Sequence, residues 1–231
     1  MEYRRQRATA TAGLPFLLGI VAGILSISYA ADDPLYLIEA SAQVNSTLFA
    51  AFFNLLMAPI YVGIAIALYP LLKQHDEWLS FGFAVFRVIS AVFVILGVVH
   101  LILLLELSFQ YVAAVPSDET SHFVVAGTLL QRARDFTNHV AMVVSASFSG
   151  ILLYLLLLKE KLVPVWLSSW GIIGSVLAIV ASVLVMLRAV SVISPVYVLL
   201  NIPAGLVEIV FAVWLIAKGI RSPDEWAGAG G

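Results

Sequence analysis

Apolar residues fill this chain in long unbroken runs, and polar residues collect in the gaps between them. Six runs stand out, at about residues 14–31, 47–72, 81–112, 136–158, 165–187 and 196–217. Each is long enough for a helix to cross the hydrocarbon core of a bilayer, which takes roughly 20 residues. Backbone groups in lipid find no water to bond, so runs of this length read as helices. The gaps carry turn or charge signals: Asp32-Asp33-Pro34, Lys73-Gln74-His75-Asp76-Glu77, Pro116-Ser117-Asp118-Glu119, Lys159-Glu160-Lys161 with Pro164, and Ser194-Pro195. The pattern predicts an all-α polytopic membrane protein, a bundle of six transmembrane helices within one domain over residues 1–220. A short cytoplasmic tail, residues 221–231, is expected to be disordered.

Three segments complicate that scheme. Residues 118–134 are too long for a bare turn and mix Phe123, Val124, Leu129 and Leu130 with polar positions, which predicts an amphipathic helix on the outer surface. Arg4 to Arg7, the first apolar run and Ser28-Tyr29-Ala30 also fit a signal peptide cleaved before Ala31. Asn45-Ser46-Thr47 matches a glycosylation acceptor, a short pattern that matters only in a secretory pathway.

Composition agrees with the runs. Of 231 residues, 62% are hydrophobic and 11% charged, whereas a soluble domain is about half apolar and a quarter charged. So few charges cannot cover a water-facing exterior, and the bilayer is the expected partner. A net charge of −2 with no basic stripe excludes nucleic acid as a partner. The absence of cysteine excludes disulfides, thiolate metal sites and cysteine nucleophiles.

Basic residues set the orientation. With the N-terminus inside, Arg4, Arg5, Arg7, Lys73, Lys159, Lys161, Lys218 and Arg221 fall on the cytoplasmic side, against Arg132, Arg134 and Arg188 outside. A multi-pass protein of the cell membrane with both termini cytoplasmic follows. Trp78, Trp166, Trp170 and Trp214 then lie near cytoplasmic helix ends, as interfacial anchors do.

Helix association in lipid leans on small residues that let backbones approach. Gly19-x-x-x-Gly23, Ser145-x-x-x-Ser149, Ala146-x-x-x-Gly150, Gly171-x-x-x-Ser175 and the ladder Gly174, Ala178, Ser182 fit that rule. Packing within the chain is the expected use, and a homo-oligomer seam through Gly19 and Gly23 is the alternative.

Ionisable groups inside a span are costly and therefore candidates for function. Arg87 lies roughly 9 Å above the cytoplasmic end of the third span and Glu208 roughly 14 Å above that of the sixth, at 1.5 Å per residue. Opposite charges at similar depth are expected to pair, either fixing helix register or binding a small molecule or ion, anionic or proton-coupled. Arg87 snorkelling to the cytoplasmic surface is a further alternative. A second group, Asn54, His100, Glu106, Asp135, Asn138, His139 and Asn201, is expected toward the outer face, as a solvated vestibule or pocket. Asn201 and Glu208 are seven apart on one helical face, with Pro203 between them able to free a carbonyl. His100 and His139 are candidates for holding a haem, or for joining Glu106 and Asp135 around a metal, without a local His-x-x-x-His or His-Glu-x-x-His pairing. No serine sits in a nucleophile elbow, and no cofactor or catalytic group is assigned. A carrier or ligand binder, a metal- or haem-dependent enzyme using the histidines, and a structural or accessory subunit are the three functional readings.

Arg7-Ala8, Ala12-Gly13 before Phe16, Phe86-Arg87, Leu162-Val163-Pro164 with Gly171, Gly205-x-x-Glu208 and Trp214-Leu215-x-x-Lys218-Gly219 occur in that order. On these residues the chain resembles the bacterial membrane-protein family known as domain of unknown function 4386, from about Arg7 to Gly219. The resemblance implies a six-helix bundle in a bacterial inner membrane and makes Arg87 and Glu208 typical of the pattern. It carries no catalytic role, and His100 and His139 match nothing in it.

Overall fold

The computed structural model describes residues 2–114, 121–192 and 194–220, with side chains from residue 11 onward. The tail at 221–231, the break at 115–120 and the side chains of Arg4, Arg5 and Arg7 lie outside the described residues. Helices are the regular structure throughout: α1 (Glu2–Leu25), α2 (Tyr29–Asp32), α3 (Tyr36–Ala42), α4 (Val44–Leu72), α5 (Glu77–Ala114), α6 (Ser121–Asp135), a π-helical stretch (Phe136–Ala141), α7 (Met142–Lys159), α8 (Val165–Met186) and α9 (Pro195–Ala217). Five stretches are long and apolar enough to cross a membrane: α4, α5, the continuous 121–159 segment, α8 and α9. The apolar part of α1, Thr11–Leu25, is shorter.

The first apolar run does not stay helical to residue 31. Helix α1 stops at Leu25, where the Ser26 hydroxyl turns back to donate to the Gly23 carbonyl at 2.8 Å. Serine side chains compete for backbone partners, and the Ser26-Ile27-Ser28 stretch ends the ladder there. The chain then makes the short helices α2 and α3, which pack against α5. Ser108 on α5 fastens them: its hydroxyl donates to the Leu37 carbonyl at 2.8 Å and accepts from the Ser41 amide at 3.0 Å.

The helix expected on the outer surface is also different. Helix α6 forms, but it runs without a break through the π-helical stretch into α7. At 1.5 Å per residue, the 39 residues from Ser121 to Lys159 rise roughly 58 Å, far more than the ~30 Å hydrocarbon core. Helix α6 therefore extends the fourth span and leans on the far end of α5, which has 38 residues of its own.

Six helices close into a ring. α1 packs on α4, α4 on α5, α5 on α7, α7 on α8, α8 on α9, and α9 returns to α1. The main core fills the half of the ring where α1, α5 and α8 begin and α4, α7 and α9 end. Ala12, Phe16, Leu68, Leu72, Phe83, Leu156, Leu157, Leu167, Phe211 and Leu215 are buried there. Cleavage before Ala31 would remove Phe16 and Ala12 from that core and open the ring. Lys73, Lys159 and Lys218 follow the helices that end on this side, and Lys159 Nζ reaches Asp76 Oδ2 at 2.8 Å.

Small residues set the helix spacing. A Cβ on Gly13 would stand 2.7 Å from the Ala212 carbonyl oxygen, so α1 touches the backbone of α9. One on Gly174 would stand 3.0 Å from the Ala204 amide, so α8 does the same beside Pro203. Gly19 and Gly23 face Ile60, Tyr61 and Met57 of α4. Their seam thus lies against α4 within the chain. The outward face is apolar: Leu18, Ile66, Leu199 and Val213 are all more than half exposed. A belt of this kind on a monomer marks contact with lipid.

Candidate functional site

Arg87 is the largest side chain in the fully buried set, 2% exposed in the interior of the ring. Position 87 falls on the inward face of α5 with Phe83, Ser90, Ala91 and Val94, so the helical period carries the guanidinium inside. Aromatic rings surround it. The guanidinium carbon lies 5.6 Å from the Phe16 ring centre on α1, 5.3 Å from Tyr61 on α4 and 5.9 Å from Phe83. Ring faces attract a cation most where water is excluded. Phe211 of α9 backs this layer, meeting Phe16 and Tyr154 edge to face at 5.5 and 5.6 Å. Gly171 on α8 leaves the space that the Tyr154 ring occupies.

Glu208 of α9 supplies the opposite charge. Its Oε1 lies 3.6 Å from Arg87 Nη1, and its side chain is 37% exposed. Charge-assisted hydrogen bonds run at about 2.7–2.9 Å, so the two groups are neighbours without a full hydrogen bond. Arg87 Nε is buried with no partner at all. Beside the pair is a cavity of about 170 Å³, lined by Phe16, Gly19, Ile20 and Gly23 of α1, Met57, Tyr61 and Ile64 of α4, Arg87 and Glu208. The Tyr61 hydroxyl has only the weak acceptor Met142 Sδ, at 3.9 Å.

The outer polar residues do not gather into one site. Thr137 Oγ1 lies 3.4 Å from His100 Nδ1, and His139 Nδ1 lies 3.1 Å from the Tyr197 hydroxyl. Asn138 packs over Gly97 with its Oδ1 buried and unpartnered. Asn201 Nδ2 donates to the Tyr197 carbonyl of its own helix at 2.9 Å. Asn54 is buried on α4, and Asp135 is partly buried where α6 ends. Glu106 belongs elsewhere: it is exposed and takes a hydrogen bond from Gln110 at 3.1 Å on the same face of α5. The π-helical stretch explains the scatter, because the extra residue in its turn redirects Thr137, Asn138 and His139 toward α5, α8 and α9. The Ser182 hydroxyl satisfies the His139 carbonyl at 2.8 Å. Among the described residues, no group of three His, Asp or Glu side chains converges as metal ligands.

The pattern of charges gave no sign of one ion pair. Arg134 of α6 is buried against Asp32 at the end of α2, and Gln131 Nε2 donates to the Ala31 carbonyl at 2.9 Å. Asp32 reads as a turn residue in sequence, and only the early stop of α1 brings it to α6.

The ring, its apolar exterior and the guanidinium buried inside it define a multi-pass α-helical membrane protein. Within that class the chain belongs to the family described as Domain of unknown function (DUF4386), whose model matches residues 11–219. No curated protein and no solved structure matches the chain.

Proposed function

We propose that this is a six-helix protein of a bacterial inner membrane, both termini cytoplasmic, that binds a small molecule or ion beside Arg87 and Glu208 as a carrier or ligand-binding protein. The observation that carries this reading is a buried guanidinium, its Nη1 3.6 Å from Glu208 Oε1, beside a cavity of about 170 Å³ that both side chains line. Ionisable groups inside a span are costly and are functional candidates, and a ligand in that cavity gives this pair a use. The closure of α9 on α1 supports treating residues 1–220 as one membrane unit. A metal or haem enzyme built on His100 and His139 is the weaker reading, since each ring nitrogen nearest another helix meets a hydroxyl.

The test is thermal unfolding of the detergent-purified protein against a panel of small anions, zwitterions and cations. A compound that raises the Tm of the wild type and leaves Gly23→Leu unchanged supports the chamber as a binding site. A panel without effect, or equal shifts in both proteins, refutes it. Orientation is tested with single cysteines, for which this cysteine-free chain is already suited. Gln74→Cys should react with an impermeant thiol reagent only from the cytoplasmic side, and Thr128→Cys only from the other.

A further inference from the structure

Resting on that reading of the chamber, we infer that its ligand is a small zwitterion of amino-acid size, its carboxylate on Arg87 and its ammonium on Glu208. The first support is the state of the two charges. The guanidinium Nη1 stands 3.6 Å from Glu208 Oε1, longer than a charge-assisted hydrogen bond, so that donor remains available to a carboxylate. Glu208 is 37% exposed, so its carboxylate has room for a second cation beside Arg87.

Charge balance is the second support. Arg87 and Glu208 together are neutral. A lone anion on Arg87 would stand against the Glu208 carboxylate, and a lone cation on Glu208 would stand against the guanidinium. A ligand carrying both charges meets opposite charge at each end and adds no net charge beside the buried guanidinium, where an unbalanced ion is costly.

Size and wall chemistry complete the case. A cavity of about 170 Å³ has room for several water molecules. That admits a compound of amino-acid size. Gly19 and Gly23 leave one wall flat, while Met57, Ile20 and Ile64 suit a short aliphatic side chain. The Tyr61 hydroxyl, held only by a sulfur, is free to donate to the same carboxylate.

The test compares three probes on the wild-type protein in detergent by calorimetry: L-alanine, isobutyrate (a methyl group replacing the ammonium) and isopropylamine (no carboxylate). L-Alanine should bind at least about tenfold more tightly than either analogue, because each leaves one charge unmatched. In Glu208→Gln that preference over isobutyrate should fall away. In Gly23→Leu, which fills the chamber, L-alanine binding should be lost. Isobutyrate binding as well as L-alanine overturns the zwitterion and leaves a chamber for anions. None of the three binding overturns the inference, and the wider panel then decides the chamber's role. L-Alanine binding unchanged in Gly23→Leu overturns both, because the ligand then sits elsewhere. The wild-type comparison stands even if Glu208→Gln does not fold.

Discussion

Replacing Arg87 with methionine and Glu208 with leucine, singly and together, separates what the pair does for the fold from what it does for a ligand. At 3.6 Å and an effective dielectric constant near 20, the attraction is about 4–5 kcal/mol. Glu208 is 37% exposed, so screening lowers the useful part to about 2–3 kcal/mol. Glu208→Leu leaves a guanidinium at 2% exposure with no counter-charge, which ordinarily costs about 3–5 kcal/mol. The three ring faces at 5.3–5.9 Å offset part of that, and a net loss of about 2–3 kcal/mol is expected. Arg87→Met strands only the half-open carboxylate and should cost about 1–2 kcal/mol. The double variant swaps two charges for apolar volume and should fall within about 1 kcal/mol of wild type. The coupling is then about 2–5 kcal/mol, read by detergent-driven unfolding in mixed micelles. Additivity to within about 0.5 kcal/mol would refute the interaction. A double variant that is stable yet still binds the wild-type ligand would refute the chamber's role.

The remaining expectations follow from other parts of the ring. Gly13→Ala should lose about 1–3 kcal/mol in the same assay, because its Cβ would meet the α9 backbone at 2.7 Å, whereas Gly63→Ala, with nothing within 4 Å, should be neutral or gain up to about 1 kcal/mol. Asp76 accepts hydrogen bonds from Lys159 Nζ and the Leu79 amide, which hold its carboxyl below the usual carboxylate range. A group depressed in the folded state contributes stability that is present above its unfolded value and lost as pH falls through the folded one. Acid titration below about pH 4 should therefore show a small loss that Asp76→Asn abolishes, and an unchanged acid limb would count against the contact. Asp32→Ala leaves the buried Arg134 without its partner and should raise hydrogen exchange across α2 and the end of α6 ahead of global unfolding.

The membrane helices were legible because lipid imposes one rule on every span, a long apolar run, and that rule does not depend on tertiary contacts. The ends of helices were less so. Residues 26–31 belong to the same apolar run, and the stop at Leu25 depends on how the Ser26 hydroxyl meets the backbone. The sixth-helix Glu208 and third-helix Arg87 could be matched because depth follows from counting residues along antiparallel helices. The outer group could not be assembled in that way. A π-helical turn shifts the phase of everything after it, so residues 137–139 point where a 3.6-residue period does not send them. Depth also misled at Glu106, which shares a level with other polar residues but not a face. Counting gives height along a helix, and direction around it is lost wherever the helix changes type.

Two uses of glycine on one helix explain why the chamber lies where it does. At Gly13, α1 is locked to α9, since a methyl group there would strike main chain, which cannot move aside. At Gly19 and Gly23 the nearest atoms are side chains of α4, at 3.4 and 3.7 Å from a built Cβ, so on its other flank the same helix meets side chains and not main chain. α4 also carries Pro59 within that stretch, which removes a backbone donor and weakens its own ladder. α8 repeats the tight arrangement against α9 at Gly174. The ring is thus fastened by backbone contact along α9 and by side-chain contact along the α1–α4 seam. Arg87 reaches that seam from α5 and Glu208 reaches it from α9. A ligand entering there would displace side chains rather than separate backbones, so the α9 seams could stay closed while the chamber fills.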